Sequence, residues 1–407
     1  MGLGYIGLPT AAMLAARKIH VIGVDVNPRV VETINSGAIH FIEPDLDILV
    51  HSVVKEGYLR ATLQPEPAEA FLIAVPTPFQ GDHHEPDLRF IRAAALAIAP
   101  VLKQGNLVVL ESTSPVGTTG KLCSWLAEAR PDLRFPHDAR EKADVLVAYC
   151  PERVLPGRVI QELVTNDRII AGMSERCSAR TVELYRQFVK GECMITDPKT
   201  AELAKLSENS FRDVNIAFAN ELSKICEKHA IDVWNLIKLA NHHPRVNILR
   251  PGPGVGGHCI AIDPWFIVAG APEEARLIRT SRQVNDSMPA WVLQRVKAKL
   301  ADMQRLDNSV PPDRLTVACY GASFKPDIDD LRESPALEVI RLLRAHHSGR
   351  VVVVEPHTST LPADLGEVQL LDTETALSTA HLHVVLVAHA SFRDVAFPDH
   401  TVRIVRS

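Results

Sequence analysis

The stretch that decides the fold begins the chain. It reads Met1-Gly-Leu-Gly-Tyr-Ile-Gly-Leu-Pro9 and is followed, after a short apolar helix, by His20-Val-Ile-Gly-Val-Asp25. Gly2, Gly4 and Gly7 form a GxGxxG pattern, whose glycines permit a tight turn, a close approach to a pyrophosphate and close helix–strand packing. Asp25 ends the next strand, where an acidic residue accepts a hydrogen bond from an adenosine ribose. The pattern therefore predicts a dinucleotide site whose contacts are Gly2, Gly4, Tyr5, Ile6, Gly7 and Asp25.

Two further expectations follow from this motif. A carboxylate at position 25 repels a 2′-phosphate, so NAD is preferred over NADP. The motif is normally preceded by a strand, and Met1 stands where that strand would end. We therefore expect the first, central strand of this sheet to be absent from the chain.

The composition restricts the class of protein. A chain of 407 residues predicts two or three domains, and 46% apolar with 23% charged residues is typical of a soluble globular protein. No apolar run approaches the ~18 residues of a membrane span, and no signal peptide is recognisable. A net charge of −5 means that the chain as a whole does not attract nucleic acid. The seven cysteines show no paired spacing, which favours a reducing cytoplasm and argues against disulfides or zinc.

Short apolar strands alternate with helices after the motif, which indicates a parallel sheet. Strands at 71–75, 106–110 and 144–149 are followed by turn-forming or polar residues, namely Pro76 and Thr77, then Ser112, Thr113 and Ser114, then Glu152 and Arg153. Ligands bind outside the carboxyl ends of such strands. Ordinary turn and capping chemistry is the alternative explanation for each of these residues.

A helical pattern without proline or glycine runs from Thr200 to about His229. That length suits a helix that bridges two domains or lies at a dimer interface. Lys205 and Asn209 are i,i+4 neighbours on one face. They form either a solvated stripe or, if they face a buried thiol, a site for an oxyanion.

A glycine-rich loop, Pro251-Gly-Pro-Gly-Val-Gly-Gly-His-Cys-Ile-Ala-Ile-Asp-Pro264, presents a single thiol, Cys259, with Asp263 four residues on. Such a loop suggests a nucleophile, whereas the simpler interpretation is a tight turn beside a small buried thiol. His242, His243 and His258 lie nearby, but no ligand spacing matches a tetrahedral metal site, so we expect no metal.

The carboxyl-terminal part predicts a second strand–loop–helix–strand unit without GxGxxG. Its loop carries Lys325 and Arg332, which suit phosphate charge. The chain is thus predicted to be an α/β protein with two Rossmann-like, doubly wound parallel-sheet domains, residues 1–197 and 314–407. They are joined by the long central helix and a helical middle domain, residues 198–304.

Six motifs in order resemble the UDP-sugar 6-dehydrogenases: GLGYIGLP, ESTSPVGTT, PERVLPG, KLSENSFRDVNIAFANE, GVGGHCIAIDP and FKPDIDDLRESPA. The resemblance covers nearly the whole chain. PERVLPG and GGHCIAIDPW look most like the branch that acts on UDP-N-acetyl-D-mannosamine rather than on UDP-glucose. The resemblance implies that the sugar C6 alcohol is oxidised to a carboxylate with two NAD and one water, for a surface polysaccharide. It also implies a cytoplasmic homodimer or higher oligomer. The tail, residues 397–407, differs from the family's closing strand.

The resemblance also implies roles for individual residues. Cys259 would form a thiohemiacetal and then a thioester, Lys205 and Asn209 would stabilise the oxyanion, and Asp263 would take part in proton transfer with Lys205 and a water. Thr113 would hold that water near the nicotinamide, and Glu152 would act in thioester hydrolysis as a base or by orienting water. Pro76, Thr77 and Arg332 are expected at the cofactor, with Arg332 on a cofactor or substrate phosphate. Arg153, Arg245 (from the neighbouring subunit), Arg250, Gly256, Gly257 and Lys325 are expected at the substrate.

Three alternatives remain at this point. Within the same class, UDP-glucose, UDP-N-acetylglucosamine or GDP-mannose could be the substrate. A single-step dehydrogenase of the hydroxyacid type would use the Lys–Asn pair without covalent chemistry. A nucleotide-binding remnant, inactive for want of its first strand, would have no activity.

Overall fold

The structure is a computed structural model that describes residues 1–81, 84–155, 157–257 and 259–406. The chain divides into two compact units, Met1–Glu208 and Asn209–Ser407. Among the described residues, no helix combines the length and the apolarity that crossing a bilayer requires.

The first unit alternates helices and strands. Its helices are α1 Gly7–Ala15, α2 Pro28–Asn35, α3 Leu46–Lys55, α4 Arg89–Ile98, α5 Thr118–Ala129, α6 Pro136–Ala139, α7 Val159–Thr165 and α8 Glu175–Tyr185. Its strands are β1 Val21–Val24, β2 Leu59–Thr62, β3 Ala70–Ile73, β4 Phe79–Gln80, β5 Glu85–Pro86, β6 Leu107–Leu110, β7 Leu146–Tyr149, β8 Arg168–Gly172 and β9 Cys193–Ile195. Helix α9, Pro198–Lys228, begins in this unit and continues into the second.

The main sheet of this unit has the strand order β3-β6-β7-β8-β9, and β1 pairs in parallel with β2. Val108 and Leu110 of β6 pack into one hydrophobic cluster and Leu107 and Val109 into another, so both faces of the strand are buried. Helices α4 and α5 supply the first cluster, and α1, α7 and α8 supply the second. The predicted doubly wound arrangement is confirmed, with one departure: β8 runs antiparallel to β7.

The first two residues lie between β1 and β3. The Met1 ammonium donates to the Leu72 carbonyl oxygen at 2.8 Å, and the Met1 carbonyl accepts from Ala74 N–H at 2.8 Å. On the other side, Gly2 N–H donates to the Val24 carbonyl oxygen at 2.8 Å. Residues 1 and 2 thus join β1 and β3 through backbone hydrogen bonds.

The second unit contains a helical segment and a parallel sheet. Its further helices are α10 Val233–Ala240, α11 Asp263–Gly270, α12 Arg276–Asp286, α13 Met288–Leu306, α14 Pro335–His346 and α15 Thr373–Thr379. Its strands are β10 Thr316–Tyr320, β11 Arg350–Val354, β12 Gln369–Leu370, β13 Leu382–Val385 and β14 Val402–Arg403, in the parallel order β12-β11-β10-β13-β14. Alternate residues of β10 again enter two different clusters, so this sheet is also covered on both faces.

The segment that follows Ala275 forms two helices where the sequence predicts one. The pattern from Arg276 to Leu300 predicts a continuous helix, but the chain ends α12 at Asp286 and begins α13 at Met288. Pro289 lies in the first turn of α13, where its missing N–H costs nothing, whereas inside a helix it would break a hydrogen bond and clash with the preceding turn. Pro289 therefore explains the break.

Candidate active site

The three glycines of the first loop have different surroundings. Gly2 has φ +85°, and a Cβ there would lie 2.5 Å from the Ala74 carbonyl oxygen. A Cβ on Gly7 would lie 1.9 Å from the Gly2 carbonyl oxygen, so both positions need glycine for the turn itself. Gly4 is exposed, and a Cβ there would meet nothing within 4 Å. Gly4 therefore leaves open space, which fits the approach of a pyrophosphate to the backbone.

Helix α1 begins directly after this loop. Its N-cap residue, Ile6, makes no side-chain cap hydrogen bond, so the N–H groups of the first turn and the positive end of the helix dipole suit a phosphate. The Tyr5 ring packs against Phe41 with the ring centroids 4.2 Å apart. Tyr5 and Ile6 as dinucleotide contacts stay a prediction.

Asp25 lies where the sequence predicts, directly after β1, and is half-buried. Its Oδ2 accepts a hydrogen bond from Leu3 N–H at 3.0 Å, and its Oδ1 accepts from Asn27 N–H at 2.9 Å. A carboxylate oxygen can accept more than one hydrogen bond, so a ribose hydroxyl can still be bound. The two backbone contacts fix the carboxylate beside the glycine loop.

The ends of β3 and β6 meet through hydroxyl groups. Thr77 Oγ1 donates to the Thr113 carbonyl oxygen at 2.7 Å, and Ser112 Oγ donates to the Val75 carbonyl oxygen at 2.7 Å. The structure thus brings Pro76 and Thr77 together with Thr113, as expected for one ligand-binding edge. The Thr113 carbonyl serves the turn and its side chain is half-buried, so ligand binding at this residue stays a prediction.

Glu152 follows β7 and is buried. Its Oε2 accepts from Arg168 Nη1 at 2.5 Å, and its Oε1 accepts from Arg153 N–H at 2.7 Å. The Arg153 guanidinium pairs with Glu208 at 2.8 Å. Arg168 is a residue that sequence reasoning missed, and its signal was a charged residue at the start of the otherwise apolar strand β8.

Two other buried acids were also missed. Glu111, which follows β6, accepts from the Tyr185 hydroxyl at 2.5 Å, and burial raises the pKa of its carboxyl to about 7. Glu202 of α9 accepts from Gly117 N–H at 2.5 Å and from Thr119 N–H at 2.7 Å, and thereby caps the start of α5. Burial raises the pKa of Glu202 despite these donors. Glu111 and Glu202 thus lie at the two ends of the segment 112–117, which carries predicted site residues.

Cys259 is the exposed thiol of the chain, whereas Cys193 is half-buried and the other five cysteines are buried. The interpretation of this loop as a turn beside a buried thiol is therefore wrong, because an exposed thiol can react with a ligand. The Cys259 carbonyl accepts from Asp263 N–H at 2.8 Å, just before α11 begins. His258 lies outside the described residues.

Asn209 and Asp263 are brought together. Asn209 Nδ2 donates to Asp263 Oδ2 at 2.5 Å, and the Asp263 side chain is buried at the first position of α11. Lys205, one helical turn before Asn209 on α9, is 8% exposed, which excludes a solvated stripe at this residue. An amide donates two hydrogens, so Asn209 can bind Asp263 and one further acceptor.

The glycine-rich loop rests on the polar loop that follows β10. A Cβ on Gly254 would lie 2.9 Å from Pro335 Cβ, and one on Gly256 would lie 2.2 Å from the Glu333 carbonyl oxygen. Gly257 has φ +83°, and its Cβ would lie 2.9 Å from the Phe324 ring. These glycines therefore permit loop-to-loop packing, a use that the sequence alone does not reveal.

Four of the predicted cations lie in two segments of the second unit. Lys325 is half-buried, and Arg332 pairs with Asp330 at 2.6 Å. Arg245 and Arg250 are exposed in the loop that Asn241 holds through hydrogen bonds to both backbone groups of Ile248, at 3.0 and 2.7 Å.

A cluster of possible metal ligands consists of Asp327, His357 and His389, whose ligand atoms lie within 4.8 Å of one another. His389 Nδ1 accepts from Asp327 N–H at 2.9 Å, and Nε2 donates to Glu355 Oε2 at 3.1 Å. Both imidazole nitrogens of this buried residue are thus used within the protein. Glu355 also accepts from Ala322 N–H at 2.8 Å, so the cluster ties the strand ends of the second sheet together.

Three family models match in chain order. They are the NAD binding domain (residues 1–189), the central domain (199–287) and the UDP binding domain (318–406) of the UDP-glucose/GDP-mannose dehydrogenase family. The expected cofactor, NAD, and the expected UDP-sugar class of substrate are confirmed by these matches.

Individual proteins agree with the family. The chain is 61% identical to a UDP-N-acetyl-D-mannosamine dehydrogenase of Yersinia pestis over 98% of this chain and 95% of the relative. It is also 61% identical to an NDP-N-acetyl-D-galactosaminuronic acid dehydrogenase of Ralstonia nicotianae over 97% and 90%. The solved structure of a UDP-D-ManNAc dehydrogenase from Pyrococcus horikoshii superposes with a TM-score of 0.86 at 38% identity, covering 97% of this chain and 90% of that one. This chain belongs to the UDP-glucose/GDP-mannose dehydrogenase family and is an NAD-dependent UDP-sugar dehydrogenase.

Proposed function

We propose that the protein oxidises C6 of UDP-N-acetyl-D-mannosamine to the carboxylate in two steps, through a covalent intermediate on Cys259, for a surface polysaccharide. The observation that carries this proposal is the exposed Cys259 thiol beside the Asn209–Asp263 pair, in a chain 61% identical to the Yersinia pestis enzyme. A single-step alcohol dehydrogenase needs no thiol. A two-step enzyme needs one that retains the aldehyde.

NAD, when bound, accepts a hydride in each of the two oxidations. We propose that Gly2, Gly4, Tyr5, Ile6, Gly7 and Asp25 bind it, with Pro76, Thr77 and Thr113 at the edge formed by β3 and β6 and Arg332 on a phosphate. This assignment is supported by the open space at Gly4 and by the contacts of Asp25 and Thr77.

The chemistry at C6 belongs to the chain's own residues. The Cys259 sulfur attacks the aldehyde carbon, a C–S bond forms, and the oxygen gains negative charge that Lys205 and Asn209 stabilise by charge and by an amide N–H. Asp263, acting with Lys205 and a water, moves the proton of this oxygen. After the second oxidation, water attacks the thioester and the C–S bond breaks to release the carboxylate.

Glu152 is proposed to serve the hydrolysis. Its two oxygens accept from Arg168 and from Arg153 N–H, so its carboxylate is held in one orientation and can accept a hydrogen bond from the attacking water. On this basis Glu152 orients the water or takes its proton.

The UDP-sugar is proposed to bind to Arg153, Arg245, Arg250 and Lys325 and to the backbone of Gly256 and Gly257. Support comes from the packing of Gly256 and Gly257 against Glu333 and Phe324, in the loop that carries Lys325. Cations beside backbone N–H groups suit a diphosphate.

We also propose that the protein is a homodimer or higher homo-oligomer in the cytoplasm. On α9, Phe211, Phe218 and Ile225 are 73%, 52% and 47% exposed. A spacing of seven residues places them on one face of the helix, which suits the same helix of a second copy. The domain bounds 1–197, 198–304 and 314–407 remain a prediction.

A second sugar is favoured by the Ralstonia nicotianae relative, which is named for N-acetyl-D-galactosaminuronic acid at the same identity. The test is a panel of kcat/KM values for UDP-N-acetylmannosamine, UDP-N-acetylgalactosamine, UDP-N-acetylglucosamine and UDP-glucose. We expect the first to exceed the others by about 10-fold or more, since a site built for one set of hydroxyl and amide groups leaves buried polar groups unpaired with another. A higher value for any other sugar would replace the proposed substrate.

A further inference from the structure

A chain of buried side-chain amides links helix α9 to the first glycine of the Cys259 loop. Asn220 Oδ1 accepts from Gly252 N–H at 2.8 Å, and Asn220 Nδ2 donates to Asn285 Oδ1 at 2.8 Å. Asn285 Nδ2 then donates to Asp213 Oδ1 at 2.8 Å. Asn220, Asn285 and Asp213 are 0%, 1% and 0% exposed, so water does not compete for these contacts.

Asp213 determines which way the hydrogen bonds in this chain of side chains run. Asp213 offers only acceptors to Asn285, through Oδ1 and its carbonyl oxygen, and Arg282 Nη1 holds the carboxylate at 2.6 Å. Asn285 must therefore turn its NH₂ toward Asp213 and its oxygen toward Asn220. Asn220 in turn must direct its NH₂ to Asn285 and its oxygen to Gly252.

Gly252, whose N–H Asn220 binds, lies at the start of the loop that leads to Cys259. Gly252 begins the run of glycines, and a Cβ on Gly254 would lie 3.1 Å from the Asn285 carbonyl oxygen. Asn220 and Asn285 thus hold the beginning of the loop, while Phe324 contacts its end at Gly257. Glycine-rich backbone has many accessible conformations, so a loop of this composition needs such contacts to stay in one of them.

We propose that Asn220 is a positioning residue that fixes the loop presenting Cys259, and that this anchor keeps the thiol where it captures the aldehyde between the two oxidations. The inference rests on the proposed two-step function. A displacement of about 1 Å at a reacting group can reduce a rate about 100-fold. The loss of the anchor should therefore slow capture and allow the aldehyde to escape.

The test compares wild type, Asn220→Ala, Asn220→Asp and the control Asn215→Ala, with UDP-N-acetylmannosamine as substrate. Asn215 is on the same helix, and its Nδ2 donates only locally, to the Phe211 carbonyl oxygen. NADH formed per sugar consumed, kcat, KM and the aldehyde trapped by hydroxylamine are measured. For Asn220→Ala we expect kcat to fall about 10- to 100-fold, KM to change less than about 3-fold, and trapped aldehyde to appear.

Asn220→Asp keeps an acceptor for Gly252 N–H, but it replaces the donor to Asn285 by an acceptor and adds a charge to this buried network. We expect it to keep the stoichiometry of the wild type with little trapped aldehyde, as Asn215→Ala does. Should Asn220→Ala not fold, Asn220→Asp carries the test, and aldehyde release from this folded variant would overturn the proposal. Wild-type kcat and stoichiometry in Asn220→Ala would overturn it as well.

Alkylation of Cys259 by iodoacetamide without substrate separates this inference from the proposed function. We expect the rate at Cys259 to differ at least about 3-fold between wild type and Asn220→Ala, and not at all in Asn215→Ala. An unchanged rate contradicts the anchor, whatever the reaction proves to be. One NADH per sugar in the wild type contradicts the two-step function, whatever the alkylation shows.

Discussion

At the residue scale, the first loop separates two uses of glycine. Gly7 needs its missing side chain for the turn, because a Cβ would lie 1.9 Å from the Gly2 carbonyl oxygen, whereas a Cβ on Gly4 would enter open space. The same six-residue motif thus contains one position at which the turn requires glycine and one that leaves room for the proposed cofactor.

Substitution by alanine should separate these uses. We expect Gly4→Ala to change the free energy of unfolding by less than about 0.5 kcal/mol and to raise the KM for NAD about 10-fold or more, because the methyl group fills the pyrophosphate space. Gly7→Ala should lower the free energy of unfolding by about 1–3 kcal/mol. Urea denaturation and NAD titration measure both effects, and equal KM values for Gly4→Ala and wild type would contradict the placement of the pyrophosphate.

The sequence predicted the residues of the local motif, but not the contacts between residues that are far apart in the chain. Gly2, Gly4, Gly7 and Asp25 are fixed by a local motif, so their positions could be foreseen. The partners of Glu152 could not, because Arg168 lies on another strand and the pairing exists only once β7 and β8 lie side by side. Likewise, the contact of Gly256 with Glu333 joins loops that are far apart in sequence.

At the element scale, the start of α5 is held by a carboxylate from a distant helix. Glu202 of α9 accepts from the backbone N–H groups of Gly117 and Thr119 and from Thr119 Oγ1 at 2.6 Å. These donors would otherwise be unsatisfied at a buried helix end. The loop with Ser112 and Thr113 directly precedes this helix, so the cap also steadies the ligand-binding edge.

Replacing this cap should destabilise the first unit. Glu202→Gln keeps the size of the side chain but turns an NH₂ group toward N–H donors, so we expect the free energy of unfolding to fall by about 1–3 kcal/mol. Glu221→Gln, an exposed position of the same helix, should change it by less than about 0.5 kcal/mol. Equal midpoints in urea for the two variants would show that the cap contributes nothing.

Helix boundaries followed the sequence where local signals were strong. The Thr200–His229 pattern gave a helix at Pro198–Lys228, and the helix predicted after the loop with Lys325 and Arg332 is α14, Pro335–His346. The break between α12 and α13 was missed although Pro289 signalled it. The antiparallel β8 was not predicted, since strand direction depends on connections that periodicity does not encode.

At the scale of the whole molecule, the exposed apolar side chains of α9 bear on assembly. Phe211, Phe218 and Ile225 share one face of a helix of 31 residues. Exposed aromatic side chains in a row mark interaction sites more often than scattered ones do. The proposed occupant is the same helix of a second copy.

Sedimentation analysis tests this assignment. We expect Phe218→Glu to shift the protein toward the monomer, because a charge placed in an apolar interface loses its hydration. Leu306→Glu is the matched control, since Leu306 is 89% exposed at the end of another helix, α13. A monomeric wild type, or a Phe218→Glu variant as oligomeric as wild type, would contradict the assignment.

The central claim is that one site performs two oxidations because Cys259 retains the aldehyde. The most direct measurement is the amount of NADH formed per UDP-N-acetylmannosamine consumed, in wild type and in Cys259→Ser. The account predicts two NADH per sugar in the wild type and loss of net oxidation to the carboxylate in the variant. One NADH per sugar together with an active Cys259→Ser would contradict it.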